Sequence, residues 1–358
     1  MGQLLSQPLN DKLIQYKEYE KFSYCLGSMQ GYRLTQEDAH SINYESNLQF
    51  QNLINDSIEP IDLKIYGIYD GHGGSQSSNY ISEHLPQEII NQFKFQPIDI
   101  DNKNTSYKTI QGLLISKFKN AFLKTDYNLF KFFQQENNNN NNNSCLNSGS
   151  TAIMGIIINN KELYCLNTGD SRIITSINGI AKNLSFDHKP NHIGELIRIN
   201  DAGGSVSFNR VGGILALSRA FGDFNFKLRK FRNQSIDSSF EDQILNSEET
   251  QVTVEPEIII HKISPNDEFI ILACDGIWDC FNNQDLINYI RNQLVKGLKL
   301  NEITSILLEY TLSLANQSTG IGFDNMSLII IACQLDNESI DQWYERLKLK
   351  IEIEKGIV

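Results

Sequence analysis

Two kinds of hydrophobic pattern alternate along the chain. Short, nearly continuous apolar runs occur at Ile65 to Tyr69, Thr151 to Ile158, Phe269 to Cys274 and Met326 to Gln334, too short for helices and rich in β-branched residues, so they predict strands. Tyr24 to Met29, Ala39 to Tyr44, Glu162 to Asn167, Arg172 to Ile177, Ile180 to Leu184 and Glu257 to Ile263 predict further strands. Asn-Asn, Gly-Asp and Asn-Gly separate several of them and are hairpin punctuation, which makes residues 151–184 an antiparallel meander.

A helical period appears where Ile81, Leu85, Ile89 and Phe93 recur at intervals of four, with Pro86 marking a kink. Ile110, Leu114, Phe118, Phe122, Leu129 and Phe133 predict a second helix that ends before the seven asparagines at 137–143. Ile193, Leu196, Ile197 and Ile199 give a short third helix, about 282–316 holds two more, and a charged helix follows Asp336. Strands and helices in this order, with antiparallel connections, predict a layered α+β fold in one domain.

Polar stretches punctuate these elements. Residues 1–21 read as an N-terminal arm and 46–62 as a polar excursion. The asparagine run, within an Asn-rich loop at 136–147, has no apolar face and predicts a disordered surface loop. Residues 227–250 begin basic, turn acidic and predict a mobile insertion, and 335–358 a charged helical tail.

Composition narrows the function. The net charge of -12, from 43 acidic and 31 basic residues, argues against a nucleic-acid partner, since phosphate backbones select concentrated Lys and Arg. No stretch approaches the roughly 18 to 20 apolar residues that span a bilayer, so a soluble or peripherally attached protein is expected. Six cysteines, with no Cys-x-x-Cys pair, read as reduced core residues and place the chain in the cytoplasm or nucleus. Met1-Gly2-Gln3-Leu4-Leu5-Ser6 matches the N-myristoylation pattern, a route to peripheral membrane attachment.

The chemistry concentrates at loop and strand ends. Two strands finish in Asp-Gly, at Asp70-Gly71 and Asp275-Gly276, where each carboxylate stands at a sheet edge and each glycine admits close backbone. With Glu37, Asp38, Asp170, Asp279 and Asp324 they form a set of acids suited to hard, oxygen-preferring cations such as magnesium and manganese. Arg33, four residues before Glu37, is suited to phosphate, and His72 beside Asp70 to protonating a leaving alkoxide.

Nine separated motifs then resemble, in order from about residue 22 to 334, the type 2C metal-dependent protein serine/threonine phosphatases. They are Ser28 to Arg33 with Gln36 to His40, Tyr69 to Gly74, Ser148 to Ala152, Asn167 to Arg172, Asp187 to Pro190, Ala202 to Gly204, Leu217 to Asp223, Ala273 to Asp279 and Asp324 to Ser327. The resemblance implies a four-layer α-β-β-α sandwich of two antiparallel sheets flanked by helices, with two manganese or magnesium ions between the sheets. It implies that Asp70 bridges the ions, that Glu37 and the Gly71 carbonyl complete one, and that Asp275 and Asp324 complete the other. Asp170 with Asp275 would hold a weaker third ion, and Asp279 would support through water.

By the same resemblance Asp38 orients the attacking water, Arg33 holds the phosphate and His72 is the general acid, while 198–226, including Arg210, corresponds to a flap bordering the site. A monomer acting on phosphorylated proteins is expected. A silent phosphoprotein-binding module and a phosphatase of small metabolites are the rival readings; intact Asp70, Asp275 and Asp324 speak against the first, and an open acidic surface against the second.

Overall fold

The computed structural model describes residues 4–52, 57–94, 109–140, 147–227 and 249–357. It opens with β1 (Leu4–Lys17), β2 (Tyr24–Arg33), β3 (Ala39–Asn52), β4 (Ser57–Tyr69) and the two-residue β5 (Gly71–His72). Helices α1 (Gln76–Phe93) and α2 (Ile110–Asn140) lead to β6 (Gly149–Ser150), β7 (Ala152–Ile158), β8 (Glu162–Thr168), β9 (Arg172–Ile177) and β10 (Ile180–Asn183). Helix α3 (Ile193–Asp201) precedes β11 (Val206–Ser207), β12 (Arg210–Val211) and β13 (Phe221–Gly222). The chain finishes with β14 (Glu257–Lys262), β15 (Asp267–Ala273), α4 (Asp275–Trp278), α5 (Asn283–Val295), α6 (Leu300–Ser313), β16 (Met326–Ala332) and α7 (Ile340–Glu354).

Two antiparallel sheets face each other, one in the order β1-β2-β16-β15-β9-β10, the other β14-β8-β7-β4-β3. The continuous apolar runs follow from this, because each central strand is covered on both faces. In β15, Phe269, Ile271 and Ala273 pack among α5, α6 and α7, while Ile270 and Leu272 point into the layer between the sheets. In β7, Ile153 and Ile157 enter that same layer, and Met154, Ile156 and Ile158 pack against α1 and α2. The result is the four-layer α-β-β-α sandwich, an α+β fold.

Several elements differ from the sequence reading. The N-terminal arm is an edge strand: β1 pairs with β2, and Ile14 and Tyr16 pack against the core. The described parts of the polar excursion, 46–52 and 57–62, belong to β3 and β4, paired as Leu48 with Ile61 and held on one face by buried Phe50, Ile61 and Leu63. Helix α1 runs on through Pro86. Helix α2 continues to Asn140, because a helix anchored by buried Leu129, Phe130 and Phe133 adds one backbone hydrogen bond per further residue even through weak formers. The charged tail helix has a fully apolar stripe, Trp343, Leu347 and Ile351, docked in the core. Gly2, asparagines 141–143 and most of the 227–250 insertion lie outside the described residues. No helix among those described is long and apolar enough to cross a membrane.

Candidate metal centre and active-site cleft

The two Asp-Gly ends come from opposite sheets and meet in one cleft of about 480 Å³. After β4, Asp70 is clamped by its backbone: its carbonyl accepts from the Thr151 amide at 2.9 Å, and its amide donates to Thr151 Oγ1 at 3.2 Å. Gly71 is needed because a Cβ there would stand 2.3 Å from the Glu37 carbonyl oxygen. After β15 the chain turns at once into α4, which starts on Asp275. A Cβ on Gly276 would stand 2.0 Å from the Asn325 carbonyl oxygen. Both glycines therefore let a second acid-bearing segment pass alongside, Glu37 in one case and Asp324-Asn325 in the other.

Asn325 ties the acid-bearing loops together. Its Oδ1 accepts from the Glu37 amide at 2.9 Å, and its Nδ2 donates to the carbonyls of Gln30 at 2.9 Å and Thr35 at 3.1 Å. Glu37 Oε2 in turn accepts from the Gly74 amide at 3.2 Å. Asp170, buried at the β8–β9 turn, also lines the cleft.

So many carboxylates in one place oppose each other's ionisation. Enclosure by protein pushes the Asp70 carboxyl well above its usual range, reinforced by Asp275, Asp38, Asp324 and Asp170. Asp275 is raised by enclosure and by Asp170, Asp324 and Asp279. Asp279, whose own value rises through burial and the nearby Asp170 and Asp324, is exposed and, unlike most predicted site residues, does not line the cleft. Burial and Asp324 lift Asp38 to about 7, against hydrogen bonds from Ser327 and Cys274. Asp38 Oδ2 is buried without a hydrogen-bond partner among the described residues.

Two basic side chains answer part of this charge. Arg33 Nη2 lies 2.5 Å from Asp324 Oδ2, and Lys189 pairs with Asp170. Asp70 and Asp275 have no such partner among the described residues. Carboxylates of Asp38 and Asp70 and the Cys274 sulfur lie within 4.8 Å of one another. Burial pushes the Cys274 thiol up, and its sulfur is already engaged, accepting from the Ser327 amide at 3.1 Å and donating to the Asn325 carbonyl at 3.5 Å, so the donors left free are oxygens. A larger groove, about 1370 Å³, lies between residues 18–22 and 333–341, and none of the predicted site residues lines it.

A family model described as Protein phosphatase 2C matches residues 22–320. The chain belongs to the protein phosphatase 2C family. It is 42% identical over 404 aligned positions, covering the whole of both chains, to Protein phosphatase 2C homolog 4 of Saccharomyces cerevisiae. Protein phosphatase 2C homolog 3 of Schizosaccharomyces pombe is 35% identical over 99% of this chain and 75% of its own length. A phosphatase from a pathogenic strain of Toxoplasma gondii, at 22% identity, shares the fold with a TM-score of 0.66 over 92% of this chain and 97% of its own.

The predicted residues of this protein phosphatase 2C divide by position. Arg33, Glu37, Asp70, Gly71, His72, Asp170, Asp275 and Asp324 all line the cleft; Asp38 lies just beneath it, against Asp70. Arg210 reaches the rim from the flap, exposed and donating to the Ile214 carbonyl at 2.7 Å. The flap has a small core of its own, Ile199, Val211, Ala220 and Val252.

Sequence reasoning placed Asn325, Lys189 and Asp223 within its motifs but gave none of them a role. Asp223 Oδ2 is 2.7 Å from His72 Nε2. Burial disfavours the His72 charge, but Asp223, Asp170 and Glu37 outweigh it and the imidazole value rises. The Gly222-Asp223 pair resembles a turn; the signal it carried was an acid directly after a glycine that ends a buried strand.

Proposed function

We propose that this protein phosphatase hydrolyses phosphoserine and phosphothreonine in proteins with two manganese or magnesium ions held between its sheets. The observation that carries the reading is the convergence of Asp70 and Asp275, from opposite sheets, on one cleft where their charges are raised in energy and where, among the described residues, neither forms an ion pair with a basic side chain. The donor set fits such ions: its free donors are oxygens, it carries surplus negative charge, and the buried Asp38 Oδ2 lacks a hydrogen-bond partner among the described residues. Asp70, Glu37 and the Gly71 carbonyl would hold one ion, and Asp70, Asp275 and Asp324 the other, with Asp170 and Asp279 available to a third. The ions would supply a strongly polarised water as nucleophile and positive charge against the phosphate.

The chain's own groups divide the remaining work. Arg33, half-exposed at the cleft mouth, presents a forked cation to the phosphate oxygens. Asp38, lifted to about 7, is poised near neutrality to orient the attacking water and take its proton on Oδ2. The His72 imidazolium donates a proton to the seryl or threonyl oxygen as the P–O bond breaks. The acidic open surface suits protein segments as substrates.

Phosphate release from a phosphothreonine peptide, with manganese, magnesium or chelator and with Asp70→Asn as control, tests the proposal. Metal-dependent turnover lost in chelator and in the variant is expected; turnover in chelator would overturn it. Acylation of Gly2 with peripheral membrane attachment is proposed on the sequence pattern alone, and the intact mass of protein made in eukaryotic cells tests it.

A further inference from the structure

His72, which lines the cleft, meets a carboxylate that does not. The Asp223 side chain is 5% exposed, and its Oδ2 lies 2.7 Å from His72 Nε2. Three further observations show that the fold is arranged around this contact.

Asp223 has φ +50° and ψ +40°, the left-handed region that an aspartate occupies at a cost of about 1 kcal/mol and that persists only where the surroundings impose it. The surroundings do impose it. The Asp223 amide donates to the Ser148 carbonyl at 3.1 Å, and the Gly222 amide donates to Asp126 Oδ1 on α2 at 2.8 Å. Lys227 Nζ, buried, bridges Asp126 Oδ2 at 2.8 Å and the Ala220 carbonyl at 2.7 Å, so a buried ion pair braces residues 220–227 from behind. Space is also reserved on the opposite side: a Cβ on Gly149 would stand 2.2 Å from Asp223 Oδ2 and 2.3 Å from His72 Nε2.

We propose that Asp223 is a positioning residue that accepts the Nε2–H of His72, fixing the ring so that Nδ1 is the nitrogen that serves the substrate. The inference rests on the reading of His72 as general acid. In the imidazolium, Nε2–H stays on Asp223 and Nδ1–H moves to the serine or threonine oxygen. Water oxygen forms the new bond to phosphorus, the old P–O bond breaks, and the leaving alcohol departs with the Nδ1 proton. Nδ1 is then the free acceptor that must be reprotonated before the next turnover.

The test compares Asp223→Asn, Gly149→Ala and His72→Ala in the full chain loaded with magnesium. Asparagine tolerates left-handed backbone as well as aspartate does, so the first variant keeps the fold, and its amide can present an N–H to Nε2, which removes the acceptor for Nε2–H and leaves a neutral ring that is a far weaker acid at Nδ1. Gly149→Ala leaves both partners in place and wedges them apart. Turnover is measured on a phosphothreonine peptide, a poor leaving group, and on para-nitrophenyl phosphate, a good one. The side-chain nitrogens of the six histidines are followed by proton–nitrogen correlation NMR, with His72 assigned by its loss in His72→Ala.

In wild type the neutral His72 ring, above its titration, should carry its proton on Nε2. Asp223→Asn should shift the population toward Nδ1–H and lower kcat on the peptide at least tenfold more than on the aryl phosphate, with KM little changed; Gly149→Ala should follow it in the kinetics. Equal losses on both substrates in Asp223→Asn, or an unchanged His72 tautomer, would overturn the inference. If His72→Ala is itself blind to the leaving group, the general-acid reading fails instead, while the NMR still reports whether Asp223 sets the ring.

Discussion

Replacing Asp70 by asparagine should stabilise this protein in chelator while abolishing its activity. The carboxylates of Asp38 and Asp70 lie within 4.8 Å of each other. Two unit charges at that distance repel by about 3 kcal/mol at an effective dielectric of about 20. For 358 residues, with an unfolding entropy of about 2.1 cal/mol/K per residue, relief of that repulsion corresponds to a Tm higher by about 4 °C. The pH dependence has a definite sign. Both acids are raised above the ordinary value of 3.8, Asp38 to about 7, so between these limits the folded chain binds protons that the unfolded chain has released. Metal-free stability contributed by the cluster therefore falls as pH rises above about 4, and the advantage of Asp70→Asn should be near zero at the acid end and grow toward pH 8.

Thermal unfolding of both proteins in chelator across that range measures it, with a repeat in excess manganese. There wild type should gain about 4 kcal/mol at a thousandfold excess over Kd, and the variant much less. A variant no more stable than wild type at pH 8 in chelator would refute the reasoning, as would an advantage that did not shrink toward pH 4.

Other perturbations separate the remaining roles. Arg33→Ala removes a charge-assisted contact of about 1.5–3 kcal/mol, so KM for a phosphopeptide should rise tenfold or more while manganese affinity by calorimetry changes little; equal losses would contradict phosphate binding. Glu195, buried, accepts from Arg198 and Arg219 and has its carboxyl lowered from 4.5 to about 2, burial being outweighed by the two guanidiniums. Its stabilisation, roughly 3 kcal/mol, is full above pH 4.5 and lost as pH falls toward 2, so urea unfolding of Glu195→Gln should show a deficit at pH 7 that narrows in acid. Gly276→Ala, whose Cβ would meet the Asn325 carbonyl at 2.0 Å, should displace Asp324 and weaken manganese binding even where circular dichroism shows a folded chain.

The central strands were legible because burial on both faces leaves mostly apolar residues, as in Ala152–Ile158 and in residues 269–273 of β15. The Asp-Gly ends were legible for a related reason: a glycine after an acid at a strand end marks where another backbone passes, and at Gly71 and Gly276 one does. Strand β1 was hidden because an edge strand with one solvent face keeps Leu13 half-exposed beside Ile14, which blurs alternation. Helix α7 was read by its charge, although Trp343, Leu347 and Ile351 stand four apart. Leu217 to Asp223 was legible as a motif, but the role of Asp223 was not, since it depends on a ring 151 positions away in the chain and on a left-handed backbone.

The arrangement of charge explains why the site lies where it does. Between the sheets the interior is apolar, closed by Ile153, Ile173, Leu272 and Ile329, and carboxylates there would carry a desolvation penalty nothing could offset. At the end of that layer Asp70 arrives from the five-stranded sheet and Asp275 and Asp324 from the six-stranded one, still in contact with the cleft. Hydrophobic packing draws the sheets together, and the same closure forces these acids into mutual repulsion. The fold thus supplies the energy that makes the cleft attract cations, and because the acids come from both sheets, cations held there would bind one layer to the other.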